Sequence, residues 1–230
     1  MDYAIQICSY VIALPLQVLT IRAMLRGAFR SYPFVFAYLI ATLLTTMIEV
    51  PLSLAYYSTG TTIATREYVK WYWRDEVVIE VLILGVVINL AYYATSKLES
   101  RRIVRMVLIA GGFLFVGISL LIDYDPNVFF GRWATKWVSQ IKFCAAILDL
   151  ALWAMLIAAR KKDYRLLMLS CGLGIMFTGE AIGESLRNLA TRNETHVLST
   201  IGGLLVMVVN TVLLYIWWRA FRTKEVISPS

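Results

Sequence analysis

The sequence predicts an all-α membrane protein, a bundle of seven transmembrane helices with the N-terminus outside and the C-terminus in the cytoplasm. Three observations predict this class. Of the 230 residues, 60% are hydrophobic and only 16% are charged, whereas a soluble domain usually has about 25% charged residues. The mean hydropathy is +0.70. The apolar residues also form successive runs of about 20 residues, the length that an α-helix needs to cross a bilayer.

The predicted helices follow one another with short connections. Their bounds are Tyr3 to Ile21, Pro33 to Tyr57, Glu76 to Thr95, Ile103 to Ile122, Trp137 to Ala159, Leu166 to Ser185 and Val197 to Trp218. Pro33 suits a first helical turn, where its missing N–H would be unpaired anyway, while Pro15 and Pro51 fall within helices and should kink them. We expect one transmembrane domain over residues 1–222 and a short cytoplasmic tail over 223–230.

The longest connection runs from Ser58 to Asp75 and is aromatic and basic towards its end. We expect it outside the membrane as a short interfacial segment, since Trp and Tyr mark the membrane boundary. Aromatic side chains are also expected at the two boundaries of the spans. At the outer boundary these are Trp71, Tyr72, Trp73, Trp133 and Trp137, and at the inner boundary Trp217 and Trp218.

The positions of the Lys and Arg residues predict the orientation, because positive residues accumulate in cytoplasmic loops. The connections on one side of the predicted spans carry 14 of the 22 basic residues. The loops around Arg101, Lys161 and Lys224 are therefore predicted to be cytoplasmic, and those around Arg66, Arg132 and Arg192 external. The membrane is expected to be a bacterial inner membrane or a plasma membrane.

The net charge of +7 does not indicate nucleic-acid binding, because the basic residues lie in small groups between apolar runs. We interpret them as determinants of topology and as contacts of lipid headgroups. The expected partners are the lipid bilayer and a cytoplasmic or membrane protein. Cys8, Cys144 and Cys171 all fall within apolar runs and lack CxxC spacing, which argues against a disulfide framework.

Several functional classes are disfavoured by missing residues. The single histidine, His196, excludes zinc hydrolases and paired-histidine haem sites, and no Gly-x-Ser-x-Gly elbow or phosphate-binding Gly-rich loop is present. The last predicted helix has no lysine for a retinal Schiff base. The motifs of rhodopsin-like receptors and of Pro-Gln sugar transporters are also missing. The sequence thus favours a protein that is not an enzyme, and it assigns neither a cofactor nor a metal.

Two pairs of glutamates lie in the external third of the predicted membrane. Glu76 and Glu80 on the third helix, and Glu180 and Glu184 on the sixth, are each spaced i, i+4 and so share a helix face. Two facing pairs could bind a divalent cation or an amine. Alternatively, the carboxylates belong to an internal salt-bridge network, with Arg187 neutralising Glu184, because charges within membranes commonly pair with one another.

A second polar level is predicted near the membrane midplane. Asn89, Asp149 and Asn210 each lie roughly 18 to 20 Å in from the outer end of their helix at 1.5 Å per residue. Lys142 is two turns from Asp149 on the same face, which suits a water-bridged pair. These residues form either the floor of a cavity or interhelical hydrogen bonds that only hold the helices together.

Gly179 and Gly183 form a GxxxG pattern on the sixth helix, which predicts a close approach to a neighbouring helix, within the chain rather than in a dimer. The polar residues cover the outer half and the midplane, while the inner halves of the helices are apolar. The pattern therefore predicts a small-ligand-binding or sensory, receptor-like module with an outward-facing polar cavity. A transporter or ion-handling protein is the first alternative, and a structural subunit of a larger membrane complex is the second.

Overall fold

The computed structural model of the chain describes the backbone of residues 2–59, 62–95, 101–123, 130–158, 163–193 and 196–222, and the side chains of residues 10–51, 74–95, 106, 110–122, 135–157, 163–190 and 197–222. Over these ranges the chain is all-α. Its seven α-helices are α1 (Asp2–Leu25), α2 (Pro33–Thr59), α3 (Thr62–Ala94), α4 (Arg101–Asp123), α5 (Phe130–Ala158), α6 (Tyr164–Asn193) and α7 (His196–Arg222). The all-α class and the seven predicted helices are confirmed, while the crossing of the membrane by all seven and the orientation stay predictions. The predicted tail over 223–230 lies outside the described residues.

Five of these helices contain an apolar stretch long enough to cross a membrane, namely Pro33–Pro51, Arg74–Ala94, Thr135–Ile157, Tyr164–Ala190 and Val197–Arg222. Among the described side chains, α1 and α4 have shorter apolar stretches, Tyr10–Leu25 and Ala110–Ile122. Large apolar side chains lie exposed on α4, with Phe113 76% and Leu121 80% exposed. Apolar surface of this kind indicates contact with lipid. These features indicate an integral membrane protein with several spans.

The described helices belong to two compact units. Unit 1 contains α1, α6 and α7, and unit 2 contains α2 to α5. In unit 1, α7 packs against both α6 and α1. In unit 2, α3 packs against α2, α4 and α5, and α4 also contacts α5. Thus α7 and α3 are the central helices of their units. The assignment of residues 1–222 to one transmembrane domain stays a prediction.

The connection between α1 and α2 is tight and depends on one glycine. Gly27 has a φ of 132°, a conformation that residues with a Cβ rarely adopt. Its N–H donates to the carbonyl oxygen of Met24 at 3.1 Å, which closes the end of α1. A single 3-10 turn, Ala28–Arg30, follows. Pro33 is the first residue of α2, as predicted.

The predicted bounds of the longest connection are wrong, while its place outside the membrane as an interfacial segment stays a prediction. Residues from Thr62 onwards are helical, so α3 has 33 residues and a length of about 50 Å. Its apolar stretch begins only at Arg74, and the helix therefore extends beyond that stretch at its N-terminal end. The mixture of polar and aromatic residues hid this segment from a search for apolar runs. It nevertheless contains neither Gly nor Pro between Thr62 and Ile83, so nothing in it interrupts a helix.

Close contact between α6 and α7 organises unit 1. A Cβ on Gly183 would lie 2.8 Å from the carbonyl oxygen of Gly202, and a Cβ on Gly179 would overlap Val209. The predicted close approach of α6 to a helix of the same chain is therefore confirmed. Trp217 is fully buried and its Nε1–H donates to the carbonyl oxygen of Leu169 at 3.1 Å. Its predicted role at the membrane boundary is wrong, because the indole packs between the helices.

Candidate functional site

Unit 2 contains a group of ionisable side chains that we call the carboxyl cluster: Glu49 on α2, Asp75, Glu76 and Glu80 on α3, and Lys142 on α5. The ammonium nitrogen Nζ of Lys142 lies 3.4 Å from Oε1 of Glu80 and 3.8 Å from Oε1 of Glu76. Glu49 lies within range of electrostatic interaction with Asp75 and Glu76. Three helices thus bring five ionisable groups together.

Local helix geometry explains the arrangement. Glu76 and Glu80 are one turn apart, so both carboxyl groups project from one face of α3. This face meets α5 where Lys142 is located, since α3 packs against α5 along the unit. α2 packs against α3 as well, and Glu49 lies near the end of its apolar stretch Pro33–Pro51. The packing of α2 and α5 on α3 therefore positions every member of the cluster.

Burial raises the free-energy cost of keeping the carboxyl groups of the cluster charged or without hydrogen-bond donors. Glu80 is 4% exposed and Asp75 is 9% exposed, while Glu49, Glu76 and Lys142 are half-buried. Oδ2 of Asp75 is buried and accepts no hydrogen bond from any described residue. A buried acceptor without a donor costs about 1 to 3 kcal/mol. The site would therefore be stabilised by a further hydrogen-bond donor.

The charge balance leads to the same requirement. The cluster has four carboxyl groups and one ammonium group, and charges within a membrane are costly unless they are paired. Lys142 compensates one carboxylate. Protons or a further cation can compensate the other carboxyl groups. Proton binding and cation binding are thus the two chemical capacities of this arrangement.

The polar level deeper in unit 2 consists of Asn89 on α3 and Asp149 on α5. Asp149 is 3% exposed. Asn89 is half-buried, and its Oδ1 accepts no hydrogen bond from a described residue. The Lys142 ammonium group forms ion pairs with Glu76 and Glu80 of α3, and its predicted water-bridged pairing with Asp149 stays a prediction. The α4–α5 contact adds hydrogen bonds from Ser119 Oγ to Gln140 Oε1 and from Trp137 Nε1 to the Val116 carbonyl oxygen.

The other predicted site residues, Glu180, Glu184, Arg187 and Asn210, lie in unit 1. Nδ2 of Asn210 donates to Oε1 of Glu180 at 3.2 Å and to the carbonyl oxygen of Val206 at 3.1 Å. This bond joins α7 to α6, as the alternative of interhelical hydrogen bonds predicts. Glu184 is half-buried and Arg187 is exposed. A site shared by the two glutamate pairs, or by Asn89, Asp149 and Asn210, stays a prediction.

Two members of the cluster, Glu49 and Asp75, were not predicted as site residues from the sequence. Asp75 was assigned to the connection before the third helix. The helical segment before Arg74 places Asp75 on α3, directly before Glu76. For Glu49, the signal was a lone carboxyl group within an apolar helix, which by itself suggests a functional residue.

Other predicted features lie outside the described side chains: Cys8, Trp71, Tyr72, Trp73, Trp133, Arg192 and His196. Cys144 and Cys171 are free cysteines. In the described part of the chain, no group of three or more His, Cys, Asp or Glu side chains is arranged to hold a metal ion.

Comparisons with known proteins assign no family to this arrangement. The chain matches no protein-family model, no curated protein and no solved structure. The chemistry of the cluster is therefore the basis for a functional interpretation.

Proposed function

We propose that the protein is a receptor-like membrane module of seven spans that binds a small organic cation, a primary amine, at the carboxyl cluster. The observation that carries the proposal is the buried Oδ2 of Asp75, which accepts no hydrogen bond from a described residue. It belongs to the carboxyl cluster, in which Lys142 pairs with Glu76 and Glu80 and Glu49 interacts electrostatically with Asp75 and Glu76. A cationic donor would satisfy both the oxygen and the charge.

The contacts of Lys142 support an ammonium group as the chemistry of the ligand. Its Nζ lies between Glu76 and Glu80 at 3.8 and 3.4 Å, so the cluster already accommodates one primary ammonium. A second one, from the ligand, would donate to Asp75 and Glu49. Charge-assisted hydrogen bonds of this kind are about twice as strong as neutral ones, and a low local dielectric strengthens them further.

The position of the cluster along its helices supports entry from the outside. Asp75 and Glu80 lie at the start of the α3 stretch Arg74–Ala94, and Lys142 lies in the first third of the α5 stretch Thr135–Ile157. The distribution of Lys and Arg predicts that these ends are external. An N-terminus outside, a C-terminus in the cytoplasm and an outward-facing site form one consistent topology.

Proton or cation transport is the second candidate function. It is favoured by Asp149, a carboxyl group that is 3% exposed and two turns further along α5 than Lys142. A conduit would need polar groups beyond this level as well. The next buried positions on α5 are Leu152 and Leu156, both apolar, and this favours a binding site with a closed floor.

Thermal unfolding of the purified protein in detergent tests the proposal. Butylammonium chloride is compared with sodium chloride at equal ionic strength and with neutral butanol. A ligand at about 100 times its Kd stabilises a protein by about 2.7 kcal/mol, which corresponds to roughly 5 to 10 °C in a chain of this size. We expect this rise with butylammonium only, and its loss in Asp75→Asn, which removes the charge while keeping the shape.

Glu180→Gln is the matched control, because it neutralises a half-buried carboxyl group of unit 1. This variant should keep the butylammonium response. An equal response to sodium chloride, or an undiminished response in Asp75→Asn, would contradict amine binding at the carboxyl cluster. Proton release or uptake by the wild type without any amine response would favour the ion-handling alternative.

A further inference from the structure

A groove of about 420 Å³ lies along the last turns of α7, and the described residues that line it are Tyr215, Trp218, Arg219 and Arg222. It belongs to unit 1 and shares no residue with the carboxyl cluster. Two arginines and two aromatic rings therefore line a concave surface at the C-terminal end of the span Val197–Arg222.

Aromatic contacts hold the groove in shape. The guanidinium carbon of Arg222 lies 5.0 Å from the centroid of the Trp218 ring, within the range of a cation–π interaction. The rings of Tyr215 and Trp218 are 5.9 Å apart and inclined by 43°. From α6, Arg165 Nε donates to the carbonyl oxygen of Ala220 at 3.3 Å. The end of α7 is thus fixed to α6 while Arg219 and Arg222 face the groove.

The described lining of the groove carries two arginines and no acidic residue. α7 contains neither Asp nor Glu. Asp163, at the start of α6, accepts the N–H of Leu166 at 3.1 Å with its Oδ1 and so caps its own helix. Planar guanidinium groups bind phosphate oxygens in a bidentate manner. Trp and Tyr rings lie at the level of lipid headgroups in membrane proteins.

We infer that the groove binds the phosphate group of an anionic phospholipid. Arg219 and Arg222 contact the phosphate, and Trp218 and Tyr215 pack against the glycerol and the first methylenes of an acyl chain. Basic pockets at the ends of spans bind anionic headgroups in this way. The inference is independent of amine binding, since either can fail without the other.

The test measures phosphatidylglycerol binding to the full chain in detergent, by native mass spectrometry and by titration. We expect binding by the wild type, with phosphatidylcholine much weaker. Each arginine near a phosphate contributes about fivefold in affinity, so Arg219→Gln combined with Arg222→Gln should weaken binding roughly 25-fold. The control is Arg30→Gln, whose guanidinium carbon lies 5.7 Å from the centroid of the Phe29 ring on the same predicted side. It should leave the affinity unchanged.

Three results would overturn the inference. One is equal weakening by Arg30→Gln, which would indicate diffuse attraction to positive charge. Another is binding of glycerol phosphate as tight as that of phosphatidylglycerol, which would indicate a soluble phosphate compound instead. The third concerns Arg219→Lys combined with Arg222→Lys. This variant keeps the positive charge, and it replaces the double glutamine variant if that one does not fold. This variant should bind phosphatidylglycerol more weakly than the wild type, because lysine cannot form the bidentate contact, and unchanged affinity would contradict a phosphate site formed by the guanidinium groups of Arg219 and Arg222.

Discussion

The two units use their buried polar residues differently. In unit 1, α6 and α7 approach closely at Gly183 and Gly202, and Glu180 accepts a hydrogen bond from Asn210. Buried oxygens that accept no hydrogen bond from a described residue occur in both units, Gln17 Oε1 in unit 1 and Asp75 Oδ2 in unit 2. Unit 2 differs in its charge, because the carboxyl cluster has four carboxyl groups and one ammonium group. Close packing and paired polar groups are sufficient to join membrane helices. Unit 2 has more carboxyl groups than are needed to join its helices, and we attribute the additional carboxyl groups to ligand binding.

The largest effect is expected from removing the cation of the cluster. Lys142→Met leaves Glu76 and Glu80 without their ammonium group, and breaking a buried ion pair costs about 3 to 5 kcal/mol. We expect a loss near the lower figure, about 3 kcal/mol, because the carboxyl groups can take up protons. Unfolding in a titration with denaturing detergent measures it.

Lys136→Met is the matched control for that experiment, since Lys136 is exposed and lies on the same helix. Its stability should change by less than about 0.5 kcal/mol. If both variants lose the same stability, the ion pairs of Lys142 do not hold α5 to α3, and the contrast between the units disappears.

A smaller effect is expected in unit 1 from two adjacent glycines of α7. A Cβ on Gly202 would lie 2.6 Å from the carbonyl oxygen of Gly183, whereas a Cβ on Gly203 would have nothing within 4 Å. Gly202→Ala should therefore destabilise the protein by about 1 to 3 kcal/mol through overpacking. Gly203→Ala should be neutral or slightly stabilising, because Ala is the better helix former. Equal behaviour of the two variants would contradict the close α6–α7 contact.

Much of the fold was predictable because apolar runs are a local property of the sequence. Gly179 and Gly183 also predicted the α6–α7 contact, since small residues at i, i+4 have few other uses in an apolar helix. The start of α3 at Thr62 was missed because the residues before Arg74 favour a helix but are not apolar enough to be found by a search for apolar runs. Trp217 was assigned to the membrane boundary from its residue type and its place near the end of the helix. Its burial depends on which face of α7 meets α6, and the sequence of one helix does not specify that face.

The candidate site was only partly predictable for a related reason. The spacing of Glu76 and Glu80 is a property of one helix, and it was read correctly as one shared face. The ion pairs of Lys142 with these residues depend on how α5 is rotated against α3, which no single-helix pattern specifies. Glu49 belongs to the cluster only through the packing of α2 on α3.

Access to the deeper polar level tests most directly the central claim that unit 2 contains an outward-facing site for an amine. A single cysteine is introduced by Asn89→Cys in a background lacking Cys8, Cys144 and Cys171, with Trp153→Cys as a control further along α5. We expect a membrane-impermeant thiol reagent to label the cysteine at position 89 from outside only, and butylammonium to slow this labelling. The cysteine at position 153 should stay unreactive from both sides. Labelling at position 89 from the cytoplasm, or no labelling from either side, would contradict the claim.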